Sequence, residues 1–226
     1  VISTLVWLLY VALEPFLRRR WPTMLISWSR LLGGRFSDPL VGRDALVGAA
    51  TGAGITMLVP YTAFLLDRLR GKPTPVPVMF HLDALGGNRA AIHAIIDQLP
   101  VAAAFGFMIA FLLLAFRLLL KKEWLALGAV SLVTAILSVL TNSGSVAVFI
   151  WPVVWIAIFT VLVRFGLFAA TVTIFVTNVL DIATSTPGGV TSWTAAPVWM
   201  SIGVTLLIAV WGFLRATAGR WSAVES

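Results

Sequence analysis

Apolar residues fill this chain in long runs, at 1–17, 45–66, 99–116, 124–140, 146–163, 165–183 and 195–214. A bilayer core of about 30 Å is crossed by a helix of roughly 20 mainly apolar residues, so each run is expected to form a spanning helix. Between 146 and 180 the only charge is Arg164, and a single helix of that length would reach about 50 Å at 1.5 Å per residue. The run is therefore expected to fold back at Arg164-Phe165-Gly166. The pattern predicts an all-α integral membrane protein, a polytopic bundle of about seven transmembrane helices forming one domain over 1–226.

One stretch, 18–44, has a different period. Met24, Leu25, Trp28, Leu31 and Leu32 fall at i, i+1, i+4, i+7 and i+8, with Thr23, Ser27 and Arg30 on the opposite face. This is the periodicity of an amphipathic helix, with Pro22 before it and Gly33-Gly34 after it as start and stop signals. It is expected to lie in the membrane interface, Trp21 and Trp28 at headgroup depth and Met24, Leu25, Leu31 and Leu32 in the acyl boundary. Arg35, Asp38, Pro39, Gly42, Arg43 and Asp44 follow as a tight polar elbow whose paired signs permit specific contacts. Two readings stand for 18–44, a coupling element with specific contacts and a passive lipid anchor.

Composition agrees with the pattern. The chain is 60% hydrophobic and 11% charged with a mean hydropathy of +1.00, whereas soluble domains hold about 45–50% apolar and about 25% charged residues. The absence of cysteine from the sequence excludes disulfides and thiol chemistry. A net charge of +7 would favour nucleic acid in a soluble protein, but here the basic residues sit between apolar runs, where they set orientation and meet anionic lipid. With 18–43 placed in the cytoplasm and the spans alternating, Arg18, Arg19, Arg20, Arg30, Arg35, Arg43, Arg117, Lys121, Lys122, Arg164, Arg215 and Arg220 fall inside. Only Arg68, Arg70, Lys72 and Arg89 fall outside. The expected topology is multi-pass with the C-terminus cytoplasmic and 67–94, which carries Lys72-Pro73-Thr74-Pro75-Val76-Pro77, as the main outer loop. The opening Val1-Ile2-Ser3, apolar and without an initiator Met, is expected of a fragment of a longer protein. A cytoplasmic domain upstream would then need one more span before Val1.

Candidate chemistry is sparse. Gly48, Gly52 and Gly54 crowd one run, but the Lys of a phosphate loop and the third Gly of a dinucleotide fingerprint are missing. Gly48-x-x-x-Gly52 and Ala50-x-x-x-Gly54 instead present small residues along a helix face, as close helix packing requires. His93 and Asp97, four apart, share a face near His81 and Asp83; a metal or proton site and a solvated helix cap are the two readings. Among polar residues within runs, Glu14 lies one turn before Arg18, and Asn178 and Asp181 stand near the outer end of their span, facing water or a site. Asn142 and Arg164 complete this set.

Leu9-Tyr10-Val11-Ala12-Leu13-Glu14-Pro15-Phe16-Leu17-Arg18-Arg19-Arg20-Trp21-Pro22, then Leu25-Ile26-Ser27-Trp28-Ser29-Arg30-Leu31-Leu32 and Asp38-Pro39-Leu40-Val41-Gly42-Arg43-Asp44, closely resemble the C-terminal membrane region of a group of bacterial serine/threonine protein kinases frequent in acidobacteria. Trp211-Gly212-Phe213-Leu214-Arg215-Ala216-Thr217-Ala218-Gly219-Arg220 resembles that family's terminus. The middle of the chain matches mainly in hydropathy and at Lys122-Glu123-Trp124-Leu125. The resemblance implies a cytoplasmic kinase domain upstream, which would hold the catalytic motifs, ATP and Mg; no catalytic residue or cofactor is expected in 1–226. It implies a membrane-anchoring and signal-sensing role in a bacterial inner membrane, with 18–44 as the element coupled to the upstream domain, the lipid bilayer including anionic lipids and that domain as partners, and homo-oligomerisation left open. The alternative is a small multi-pass transporter or channel subunit.

Overall fold

A computed structural model of the chain describes residues 22–69, 71, 86–120, 147–184 and 195–221, with isolated helical positions at 4, 8 and between 125 and 140. The expected spans at 1–17 and 124–140 therefore lie outside the continuously described residues, as do Glu14, Arg18, Arg19, Arg20, Trp21, Asn142 and loop residues 72–85. A 3-10 turn, Pro22–Leu25, leads into α1 (Ile26–Leu32), followed by α2 (Pro39–Leu69), α3 (Asn88–Leu120), α4 (Ala147–Phe165), α5 (Leu167–Thr184) and α6 (Ala195–Trp221). Every element among the described residues is helical. Four of them, α2, α3, α5 and α6, are long and apolar enough to cross a membrane, and α4 carries a shorter apolar stretch, Ile150–Phe165. Seven spans were expected, and these five helices account for five of the seven apolar runs.

The chain turns where the sequence requires, between α4 and α5, at Gly166 with φ +94°, a conformation open to glycine alone at little cost. A Cβ there would stand 2.7 Å from the Met24 carbonyl oxygen, because the 3-10 turn presses on this corner. Helix ends differ from the apolar runs. The helix expected from 45 starts at Pro39 and that expected from 99 starts at Asn88, since helix propensity and capping, not hydropathy, decide where a helix begins.

The centre of the bundle is α5, with eleven of its 18 residues buried and all other described elements packed against it. A helix surrounded in this way is mainly apolar around its circumference, and Asn178 and Asp181 fall in its last two turns. Its neighbours approach through small residues. A Cβ at Gly48 would stand 2.6 Å from the Ala169 oxygen and one at Gly52 2.7 Å from the Thr173 oxygen, so α2 and α5 run parallel, backbone against backbone. Gly106 meets Thr171 while Gln98 bonds Asn178, which makes α3 antiparallel to α5. Gly42 and Gly212 form a fourth close approach, between α2 and α6.

These directions bring the start of α2, the end of α3, the start of α5 and the end of α6 to one end of the bundle, beside α1. Arg30, Arg35, Arg43, Arg164 and Arg215 gather there. The flanks are apolar and exposed, Met57 and Leu207 at 70%, Leu206 at 58% and Phe111 at 53%. Such a surface suits hydrocarbon and would be an aggregation liability in water.

Candidate functional site

Among the described residues the densest polar constellation lies at that basic end, and its geometry starts with how α1 stops. Gly34 adopts φ +73°, the Arg35 amide donates to the Arg30 carbonyl at 2.9 Å and the Gly34 amide to the Leu31 carbonyl at 3.0 Å, the paired bonds of a Schellman C-cap. Four residues on, Asp38 caps α2: its Oδ1 accepts from the Leu40 amide at 2.9 Å, with Pro39 at the first helical position, where its missing N–H costs nothing. The other Asp38 oxygen accepts from Arg30 at 2.5 Å, tying the end of α1 to the start of α2. The elbow expected at Asp38-Pro39 is therefore a helix start, and Gly42 is not a turn glycine. It lies inside α2, where a Cβ would stand 2.6 Å from the Arg215 Cβ and 2.9 Å from the Gly212 oxygen.

One and a half turns into α2, Asp44 is 1% exposed. A buried carboxylate requires partners, and Asp44 has three donors: the Ser27 hydroxyl on Oδ2, and Arg43 Nε at 3.0 Å and Nη2 at 2.8 Å on Oδ1. The Arg43 guanidinium lies over the Phe165 ring, 5.6 Å from its centroid, within reach of a cation–π attraction. The chain Ser27, Asp44, Arg43, Phe165 thus links α1, α2 and the α4–α5 corner. Around it, Met24, Ile26, Leu40, Val163, Arg164 and Gly166 complete the lining of a cavity of about 230 Å³.

This corrects the expected orientation of α1. Met24 and Leu25 are buried at 3% and 6% in the protein core instead of dipping into lipid, and Ser27, expected on the water face, is 6% exposed. Trp28 packs edge-on against Phe107 at 5.2 Å, while Leu32 is 61% exposed. The protein covers Met24, Leu25 and Trp28 and leaves Leu32 at the surface.

The remaining sequence candidates scatter. Gly54 has nothing within 4 Å of where a Cβ would stand. His93 and Asp97 are exposed on α3. No group of three metal-ligating side chains occurs among the described residues, and Asp97 lies too far into α3 to cap it, since dipole effects fade after the first turn. Asn178, half-buried, donates to Gln98 Oε1 at 3.1 Å, so it faces α3 and not water; Asp181 is half-buried one turn on. Sequence reasoning missed Ser27, Gln98, Gly106 and Gly212 as contact residues. Gly106 and Gly212 stood out only as glycines within apolar runs, and nothing local marked Ser27 or Gln98.

Among the described residues the protein is all-helical, with four helices long and apolar enough to cross a membrane. Compared with family models, with curated proteins and with solved structures, it matches none.

Proposed function

We propose that this chain is the membrane domain of a bacterial receptor-like serine/threonine protein kinase, seated in the inner membrane and coupled to an upstream cytoplasmic kinase domain through 18–44. One observation carries the reading. The described parts of the two stretches where the resemblance is concentrated, 9–44 and 211–220, meet in space, Gly42 packing against Gly212, Arg215 and Ala216. Within 18–44, α1 is joined to α2 of the bundle by the Ser27–Asp44 and Arg30–Asp38 bonds, so a displacement of the helices at this end is transmitted to it.

Two measurements test this. The coding sequence before Val1 is expected to carry a Gly-rich loop, a His-Arg-Asp loop and Asp-Phe-Gly, the phosphoryl-transfer parts of a kinase; their absence sinks the proposal. In the full-length protein, Ser27→Ala is expected to alter autophosphorylation while membrane insertion stays normal, and unchanged activity would reduce 18–44 to an anchor.

A small transporter or channel is the second reading. It draws on the Gln98–Asn178 bond between helices and on the hydroxyls of Thr171 and Ser201, buried without a hydrogen-bond partner among the described residues, as groups lining a solute path would be. Solute flux in liposomes holding the isolated domain favours this reading, and its absence removes it.

A further inference from the structure

We propose that the cavity between α1, the start of α2 and the α4–α5 corner binds the phosphodiester headgroup of an anionic phospholipid. Its polar half carries two guanidinium groups and one carboxylate. The carboxylate, Asp44, is already occupied by Ser27 and Arg43. Arg43 spends Nε and Nη2 on it and keeps further N–H donors. Arg164 is exposed and has no hydrogen-bond or ion-pair partner among the described residues. Positive charge and unspent donors therefore converge on a concave surface, the arrangement that recognises a phosphate.

The other half is apolar, with Met24, Ile26, Leu40, Val163 and Phe165 in the wall. Inorganic phosphate would use only the charged half, whereas a phospholipid uses both. A volume of about 230 Å³ admits a headgroup and leaves the acyl chains outside, against the exposed apolar flanks. The position fits too, because basic pockets between spans at the cytoplasmic face hold anionic headgroups. This site rests on the membrane reading of the chain and not on the kinase reading.

The test is native mass spectrometry of the chain released from detergent micelles doped with phosphatidylglycerol or phosphatidylcholine. The parent is expected to retain phosphatidylglycerol and not phosphatidylcholine. Arg164→Gln should lower that retention about tenfold, the loss of one charge-assisted hydrogen bond. Arg89→Gln, the same charge change on exposed α3 at the opposite end, should stay within about twofold of the parent. Ile26→Trp, which fills the apolar half and touches no charge, should also lower retention, and it decides alone if Arg164→Gln does not fold. Equal retention of both lipids, equal loss in Arg89→Gln and Arg164→Gln, unchanged retention in Ile26→Trp, or displacement of the lipid by sodium phosphate would each overturn the site. A carbonate wash separates the levels: a chain released from membranes loses the membrane reading and the site together, while one that stays and retains no phosphatidylglycerol loses the site alone.

Discussion

Among the described residues, Asp44 is the one whose environment departs furthest from what its type prefers, a carboxylate 1% exposed and held by Ser27 and Arg43. Ser27→Ala removes a hydrogen bond to a charged group, about 1.5–3 kcal/mol in general. Denaturant titration in mixed micelles should show a loss of that order. The double variant Ser27→Ala with Asp44→Ala should lose less than the sum of the singles, because both remove the same bond; strict additivity would show that the two do not interact. Gly166 is the second such residue. At φ +94°, with the Met24 oxygen 2.7 Å from a would-be Cβ, Gly166→Ala combines backbone strain of about 1–3 kcal/mol with a backbone clash. A folded yield equal to the parent's would show that the corner relaxes freely.

Among the elements, α2 is decided by which of its faces meet protein. Dispersion between closely approaching backbones drives helix association in lipid, since tails are as apolar as leucine, and only residues at the contact are size-sensitive. Gly52→Leu should therefore lower the yield of folded protein in size-exclusion chromatography, because a Cβ alone already stands 2.7 Å from the Thr173 oxygen. Gly54→Leu, with nothing within 4 Å, should leave the elution profile unchanged. A reversed order would place the contact on the wrong face. The small-residue spacing four apart marked Gly48, Gly52 and Gly54 alike. Only the helix rotation separates them, and a helix with little polar contrast around its circumference does not announce its rotation.

At the scale of the whole molecule, Arg30, Arg35, Arg43, Arg164 and Arg215 gather at one end, and under the proposed topology the excess of Lys and Arg puts that end on the cytoplasmic side. Ser37, exposed in the α1–α2 connection, is a probe for this, because the sequence contains no cysteine of its own. In intact cells Ser37→Cys should resist an impermeant maleimide and react only after permeabilisation. Labelling in intact cells would invert the topology.

What the sequence determined by itself is the one-dimensional part: helices at five of its apolar runs, a fold-back at Gly166, a basic side and a start signal at Pro22. Each is written in local order, by run length, by the conformation only glycine takes readily, or by charge position. What only the tertiary structure decided is which side of each element faces protein. In water, polarity separates inside from outside. In a bilayer, lipid and protein interior are both apolar, so Met24 and Leu25 read as lipid-facing although the core covers them. The pairs that build the candidate site, Ser27 with Asp44, Gly42 with Gly212 and Arg43 with Phe165, join residues that no local period connects, and only the packing of helices around α5 brings them together.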